Sequence, residues 1–306
     1  MAATTVANNV QWLGETARSV PKSKAGRVTL VETVMVCLTR TLALATLGAL
    51  VLTAPAVAQV EPERCPRFVA WNEAPIPASL NVAALQEGEV RLTFIGHASF
   101  YIESPLGVTA VTDYSASTRP PTIPDIVTMN RAHISHYTNN PDPGIRYVLR
   151  GWGEDDVPAK HDVTVDDVWI RNVTTNVRGG FGTSATLQRD QNSMFVFEVS
   201  GLCIAHLGHL HHTLTPAHLA ALGRIDVVLA PVDGGYTLNV NDMITVLKQI
   251  NAPLIIPMHY FGTASLQRFV TNLSEDFAVE TNPLPVVTLS RATLPRVQTL
   301  LIVPEG

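Results

Sequence analysis

From residue 89 onward the chain divides into short apolar segments, rich in β-branched residues, that are separated by polar, glycine or proline residues. Alternation of this kind, with turn residues at the segment ends, is typical of β-strands. It predicts strands at 89–95, 99–103, 108–112, 125–129, 163–173, 193–199, 202–205, 226–232 and 254–257. Residues 139–161 are rich in proline, glycine and acidic side chains, and they are predicted to form a loop.

The last third of the chain adds helices to this pattern. Thr215 followed by Pro216 is a typical helix start, and Gly223 suits the end of the same helix. Further helices are predicted over about 241–250 and 263–273. Many strands first, and helices alternating with strands later, favour an α/β fold in which sheets are covered by helices.

The first 58 residues follow a different pattern. Residues 1–34 lack periodicity and are interpreted as a wrongly assigned leader, with Met35 as the true start. Residues 35–58 contain a basic segment, an apolar run and an Ala-x-Ala motif, which is the layout of a secretory signal peptide. The apolar run is shorter than the roughly 20 residues that a membrane span needs, although a retained anchor is the alternative.

Cleavage after Ala58 would leave an irregular lead-in at 59–88 and one folded domain at 89–306, periplasmic or secreted and without stable membrane insertion. Removing the five basic and two acidic side chains of residues 1–58 leaves 16 basic and 24 acidic ones, a net charge of −8. Nucleic-acid binding depends on clustered Lys and Arg, so this composition argues against it.

Cysteine is sparse in the expected mature chain, which keeps Cys65 and Cys203. Two interpretations stay open, because the pair can form a disulfide in an oxidising compartment or Cys203 can be a small buried apolar residue. A zinc site rich in thiolates is excluded, because the chain contains no Cys-x-x-Cys motif.

Histidine is concentrated just behind two of the predicted strands. His206, His209, His211 and His212 lie within seven residues after the strand at 202–205, and His259 follows the strand at 254–257. Neutral imidazole is the commonest protein ligand of zinc and similar metals. Four histidines in seven residues therefore indicate a metal-site protein, or a descendant of one.

Other polar residues also follow predicted strands. They are His97, Asp113, His133, His136 and Asp233. Functional groups gather where strands open into loops, so strands that are distant in sequence can supply ligands to one cavity.

Taken in order, these motifs resemble the metallo-β-lactamase superfamily, specifically its lactonase-like and phosphodiesterase-like hydrolases. The resemblance covers about residues 90–262. It rests on these segments: Ile95-Gly-His-Ala-Ser-Phe100, Thr112-Asp113, Pro124-Asp-Ile-Val127, Ile134-Ser-His136, Ile204-Ala-His-Leu-Gly-His209, Asp226-Val-Val-Leu-Ala-Pro-Val-Asp-Gly234 and Ile256-Pro-Met-His-Tyr260. It implies an αββα sandwich with one or two metal ions, usually zinc, at the edge of the sheets, and hydrolysis by metal-activated water.

The chain departs from the family at two motifs. The family's His-x-His-x-Asp-His can be aligned only at His136, because Thr138, Asn140 and Pro141 stand where the other three ligands are expected. The Asp expected after Gly208 is His209, so a neutral imidazole replaces a bridging carboxylate. One zinc ion is therefore more strongly expected than two.

The resemblance and the residues together give a predicted site. Its metal ligands are taken from His133, His136, His206, His209 and His259, since three or four nitrogens suffice for zinc. Asp113 and Asp233 are expected to orient a ligand or water, and Asp142 to transfer protons in place of the missing acidic residue. His97, His211 and His212 are expected to support the ligands from outside.

The predicted function is a secreted, metal-dependent hydrolase that acts on a small-molecule ester, lactone, amide or phosphoester. The alternative is a catalytically inactive binding protein that kept the fold and lost the metal centre. A protein that binds metal without turnover lies between the two. The missing motif ligands favour the alternative, and the surplus histidines around 206–212 argue against complete loss.

Overall fold

A computed structural model describes residues 84–131, 133–155, 157–179, 186–273 and 276–306. The predicted leader, the predicted signal peptide and nearly all of the lead-in lie outside these residues and remain predictions. Fourteen strands are described: β1 Glu89–Gly96, β2 Ser99–Glu103, β3 Thr109–Val111, β4 Ile126–Met129, β5 Tyr147–Arg150, β6 Asp162–Val165, β7 Val168–Gly179, β8 Thr186–Val199, β9 Leu202–His206, β10 Val227–Pro231, β11 Leu254–Met258, β12 Ala278–Thr281, β13 Val286–Ser290 and β14 Thr299–Ile302. Three α-helices are described: α1 Pro216–Leu222, α2 Val240–Ile250 and α3 Thr263–Asn272.

The strands form two mixed sheets. The first has six strands in the order β13-β1-β2-β3-β4-β5, and the second has eight in the order β12-β14-β11-β10-β9-β8-β7-β6. In the first sheet β3, β4 and β5 are parallel, and in the second β9, β10, β11, β14 and β12 are parallel. The remaining neighbours pair antiparallel.

A hydrophobic core joins the inner faces of the two sheets, where Leu92 and Phe100 of the first meet Ile204 and Leu229 of the second. A second core lies between the outer face of the larger sheet and the helices, which contribute Leu222, Met243 and Phe269 among others. The predicted α/β sandwich is confirmed. Within the described residues all three helices cover the larger sheet, and a smaller cluster around Tyr101 and Trp152 includes loop residues beside the first sheet.

Three differences from the predicted elements have local causes. The expected single strand at 163–173 is two strands, β6 and β7, because the chain reverses at Asp166 with a positive φ of 47°. The region predicted as a loop contains β5, a strand of four residues. Its apolar run is too short to show the alternation that predicts a strand. The strands β12 to β14 were not predicted, since their residues are largely partly buried or exposed.

The topology brings the candidate residues to one edge of the sandwich. His97, Asn130 and His259 follow directly on the carboxyl end of a strand, Asp113 and Asp233 follow one residue later, and His206 is the last residue of β9. A hydrogen bond joins the two sheets at this edge. The amide of His259 donates to the carbonyl of His97 at 2.7 Å.

Among the described residues, no helix has both the length and the apolar character that crossing a membrane requires. Cys203, buried in β9, is disulfide-bonded, which resolves the alternative left open by the sequence in favour of a bridge. The other cysteines of the chain lie outside the described residues.

Candidate metal centre

Four imidazoles converge at the edge of the sandwich. His133, His136, His209 and His259 each offer one ring nitrogen, and these four nitrogens lie within 4.8 Å of one another. The Nε2 atoms of His136 and His259 are 3.3 Å apart, and those of His133 and His209 are 3.1 Å apart. His136, His209 and His259 are buried, whereas His133 is exposed. The cluster therefore lies at the end of the sandwich and opens to solvent on the side of His133.

Two buried carboxylates hold His136 and His259 from behind. Asp113 accepts a short hydrogen bond from Nδ1 of His136, and Asp233 accepts one from Nδ1 of His259 at 3.0 Å. Because each Nδ1 carries the proton that it donates, the neutral ring has its lone pair on Nε2, facing the cluster. A carboxylate behind a histidine in this way is the usual support of a metal ligand.

The carboxylate of Asp233 is itself fully engaged. It accepts hydrogen bonds from the amides of Gly235 and Tyr236, at 2.8 Å and 2.6 Å, and from the hydroxyl of Thr237. Burial raises the pKa of this carboxyl, but the hydrogen bonds from His259 and Thr237 outweigh burial and lower it. Asp233 is therefore ionised and saturated with donors, which suits it to orient His259 rather than to accept a proton.

Asp113 is in a similar position behind His136. Its other carboxylate oxygen accepts a hydrogen bond from Nδ2 of Asn130 at 3.3 Å. Burial raises its pKa, but the interaction with His136, including its hydrogen bond, lowers it by more, so that the net shift is downward. The structure thus places Asp113 behind His136 and Asp233 behind His259, each within hydrogen-bond distance of Nδ1.

The other pair of imidazoles has partners of a different kind. Nδ1 of His133 lies 2.7 Å from the hydroxyl of Ser135, and Nδ1 of His209 lies 2.6 Å from Nε2 of His211. His211 in turn accepts a hydrogen bond at Nδ1 from the backbone amide of Arg178, at 2.7 Å. His211 therefore contacts His209 from outside the cluster.

Desolvation keeps these outer imidazoles neutral near pH 7, and it acts on His133 because the other histidines of the cluster cover part of its ring. It lowers the pKa of His133 to about 4 and that of His211 to about 4, and it holds the pKa of His209 well below 6.5. Neutral imidazole is the form that binds metals.

The backbone is strained where it presents the site. His97, Asp113 and His259 have φ values of 55°, 51° and 51°, in the left-handed region that costs an L-residue roughly 1–2 kcal/mol. Such conformations gather at functional sites, because the surrounding structure must fix them. Here the turn after each strand bends the side chain back toward the cluster.

Gly208 allows the loop of His209 to approach β8. Its φ is 61°, and a Cβ there would stand 2.4 Å from Oδ1 of Asn192 and 2.5 Å from Nδ2 of Asn130. Oδ1 of Asn192 also accepts the amide of His209 at 2.7 Å. Only glycine fits beside the side-chain amides of Asn130 and Asn192, which contact Asp113 and the amide of His209 respectively.

The structure does not bring His206 into the cluster. Its Nε2 donates to the carbonyl of Ala98 at 2.8 Å, and its Nδ1 accepts the amide of Gly208 at 3.1 Å. Both ring nitrogens are therefore used, so the expected ligand role is corrected to a structural one that ties β9 to the turn between β1 and β2. His212 is likewise engaged with β7, since its Nε2 accepts the amide of Asn176 at 3.1 Å.

Asp142 also lies in a setting different from the expected one. Its side chain is exposed, and its carboxylate accepts the amide of Gly144 at 2.8 Å. This is the geometry of a turn at the surface, so the structure gives no support to proton transfer by Asp142. The hydroxyl of Thr138, at one of the altered motif positions, accepts the amide of Asn140 and is buried in the same loop.

His97 contacts the site through its ring. Its centroid lies 4.4 Å from that of His259 and 4.9 Å from that of His136. Among the described residues, its Nε2 is one of three buried side-chain atoms without a hydrogen-bond partner. Burial lowers its pKa to about 4, so the ring is neutral and packs against the two candidate ligands.

Aromatic and apolar side chains that the sequence gave no reason to select border the cluster. Phe261 packs against the rings of His97 and His259, at centroid distances of 6.0 Å and 5.3 Å, and Tyr236 packs against Phe261 at 5.4 Å. Each of these two aromatic side chains is about half exposed. Asn130, Asn192 and Thr237 were missed as well. Asn130 could have been indicated by its position directly behind β4 and Thr237 by its closeness to Asp233, whereas Asn192 lies inside β8 and had no such signal.

A match to a protein-family profile shows to which family the chain belongs. The profile described as the beta-lactamase superfamily domain matches residues 91–259, which is more than half of the chain. The chain belongs to the metallo-β-lactamase superfamily. The matched region spans the cluster from just before His97 to His259, so the family and the site coincide.

Similar proteins are named metal-dependent hydrolases. A UPF0173 metal-dependent hydrolase of Methanoculleus marisnigri is 25% identical over 192 residues, covering 56% of this chain and 81% of the relative. One of Salinibacter ruber is 24% identical over 190 residues, covering 55% and 84%. A solved structure from Thermotoga maritima, described as that of a Zn-dependent hydrolase candidate of the metallo-β-lactamase superfamily, is 28% identical with a TM-score of 0.51. It covers 71% of this chain and all of that one.

Proposed function

We propose that the chain is a metal-dependent hydrolase whose metal, most consistent with zinc, is bound by the histidine cluster. The observation that supports this most strongly is the convergence of four Nε2 atoms, each with its Nδ1 hydrogen-bonded on the outer side. Metal-binding histidines have this arrangement, because the outer partner fixes the ring orientation.

The cluster is chemically suited to a cation. The lone pairs of His136 and His259 face one another across 3.3 Å, and they repel unless a positive charge lies beside them. The candidate ligand atoms are all imidazole nitrogens, which suit zinc and later transition metals better than Mg²⁺ or Ca²⁺. His209 replaces the expected carboxylate, which supports one ion rather than two.

Bound there, a zinc ion would lower the pKa of a water molecule and polarise a carbonyl or phosphoryl oxygen. The protein would supply the rest. Asp113 and Asp233 hold His136 and His259 in place, and Phe261 and Tyr236 border the cluster beside His97 and His259 with partly exposed aromatic surface. Substrates compatible with this chemistry are small esters, lactones, amides and phosphoesters.

We also propose that the protein acts in the periplasm or outside the cell. The signal-like segment at 35–58 supports this, and so does the disulfide of Cys203, since disulfides persist in oxidising compartments.

A binding protein without turnover is the second candidate. It is favoured by Thr138, Asn140 and Pro141, which stand at the motif positions of three family ligands. The acidic residue that usually assists proton transfer is thereby absent from that motif.

Hydrolysis assays separate the two candidates. The zinc-loaded protein and its His259→Gln variant would be compared on a panel of aryl esters, lactones and phosphodiesters. We expect at least one substrate class to be turned over by the wild type and lost in the variant. Bound zinc without turnover of any class would favour the binding protein, and equal turnover by both proteins would contradict the proposed site.

A further inference from the structure

A directed chain of hydrogen bonds enters the cluster from β7. It runs from the amide of Arg178 to His211, from His211 to His209, and from His209 to Nε2 of His133. The three distances are 2.7 Å, 2.6 Å and 3.1 Å. The first member has a fixed direction, because a backbone N–H can only donate. That direction determines where every later proton lies.

The proton positions follow one by one. Nδ1 of His211 accepts from the amide of Arg178, so neutral His211 carries its hydrogen on Nε2. That Nε2–H faces Nδ1 of His209 and donates to it. Neutral His209 must then carry its own hydrogen on Nε2, which points toward His133. Nδ1 of His133 is left to donate to Ser135, whose hydroxyl is 2.7 Å away.

The same reasoning gives the opposite result on the other side of the cluster. Asp113 and Asp233 are ionised acceptors, so His136 and His259 carry hydrogen on Nδ1 and present a lone pair on Nε2. The four imidazoles are therefore inequivalent. Three of them, His133, His136 and His259, carry a lone pair on Nε2, that of His133 being the acceptor of the hydrogen bond from His209, whereas His209 carries an N–H.

We infer that His209 is a hydrogen-bond donor at the edge of the metal site and not a metal ligand, and that His133, His136 and His259 are the three ligands. This rests on the proposed function for the presence of a metal. Three protein ligands leave a coordination position free for water or substrate, which is the pattern of catalytic zinc sites, whereas four close the site.

The assignment gives His209 a chemical task. It stands where the family motif has a carboxylate, and it replaces an acceptor with a donor next to the open side of the cluster. A buried N–H at that place can stabilise negative charge that develops on a carbonyl or phosphoryl oxygen. His211 fixes the donor form of His209, so it acts as a positioning residue.

Nuclear magnetic resonance tests the assignment without any need for activity. In the metal-free protein labelled with ¹⁵N-histidine, long-range ¹H–¹⁵N correlations distinguish the Nδ1–H from the Nε2–H tautomer of each ring. We expect the Nε2–H form for His209 and His211 and the Nδ1–H form for His136 and His259, with His209→Gln and His211→Gln used for assignment. An Nδ1–H form of His209 would overturn the inference.

Zinc addition to the same sample supplies the second half of the test. We expect the Nε2 resonances of His133, His136 and His259 to shift, while His209 keeps its N–H correlation. Loss of that correlation with a shift of the His209 Nε2 resonance would overturn the inference and indicate four ligands. If no histidine shifts with zinc while the tautomers are as expected, the proposed function fails and the donor assignment of His209 stands alone.

Metal affinity separates ligand from donor by magnitude. His209→Gln keeps an N–H donor near the position of Nε2, so we expect zinc affinity to fall less than about tenfold. His259→Gln removes a ligand, and we expect a loss well above about 100-fold, beyond the range of outer partners. Equal losses in the two variants would contradict the inference, and circular dichroism would establish that both variants are folded.

Discussion

At the scale of single residues, the site depends on side chains that contact a candidate ligand with one polar atom and are held in place by further hydrogen bonds. Asp233 accepts hydrogen bonds from Gly235, Tyr236 and Thr237 in addition to His259, so its orientation is fixed before any metal binds. Such outer partners alter metal affinity although they never touch the ion. A residue of this kind can be distinguished from an ordinary surface carboxylate by one substitution.

For Asp233→Asn we expect zinc affinity to fall about 10–100-fold. The amide side chain has one acceptor oxygen instead of two, so it cannot accept all of the hydrogen bonds that hold this side chain against His259. Asp142→Asn is the matched control, since Asp142 is exposed and pairs only with its own turn in the described contacts. Competition with a chromogenic chelator measures both affinities. Similar affinities for the two variants would show that Asp233 does not position a ligand.

Gly208→Ala tests the close approach behind His209. A Cβ would stand 2.4 Å from Oδ1 of Asn192 at a positive φ, so we expect unfolding free energy to fall by about 2 kcal/mol or more. Gly107→Ala is the control, because it has a positive φ but no atom within 4 Å, and only the conformational cost of about 1 kcal/mol is expected. Urea denaturation measures both, and equal losses would contradict the packing argument.

At the scale of elements, the sequence predicted what depends on local pattern. Most strands of the central region and all three helices lie within a few residues of their predicted positions. β5 was missed because four residues in a polar region carry little alternation. Histidines behind strands were recognised, but His206 and His209, three residues apart, have different tasks. Their hydrogen-bond partners Ala98 and His211 decide this, and such contacts are set by the packing of two sheets rather than by sequence spacing.

His206→Leu tests the structural role of the buried imidazole. The change removes hydrogen bonds to Ala98 and Gly208, and we expect a stability loss of about 2 kcal/mol or more with unchanged zinc stoichiometry. Thermal unfolding and elemental analysis of the same preparation measure the two effects. Loss of zinc from a folded His206→Leu protein would restore His206 as a ligand candidate.

At the scale of the whole molecule, the histidine cluster links folding to pH. Burial lowers the pKa values of His97, His133 and His211 to about 4, whereas histidine in the unfolded chain titrates near 6.5. Between these values the unfolded chain binds protons that the folded chain excludes, so stability decreases as the pH falls from about 6.5 to about 4. Above pH 6.5 these groups are neutral in both states and cause no change.

The metal-free protein should therefore show a nearly constant melting temperature from pH 7 to 8 and a steep fall below pH 6.5. His211→Gln removes one of the three groups, so its decline should be shallower than that of the wild type. Differential scanning calorimetry at several pH values measures both profiles. Constant stability down to pH 4, or identical slopes, would contradict lowered histidine pKa values in the folded protein.

The central claim is that the cluster binds a metal ion, and metal content tests it most directly. The protein, purified without a polyhistidine tag, would be incubated with zinc, dialysed and analysed by elemental mass spectrometry beside a His136→Gln/His259→Gln variant. We predict close to one zinc ion per chain in the wild type and none in the folded variant. No bound metal in the wild type after exposure to excess ion, or equal metal in both proteins, would contradict the account.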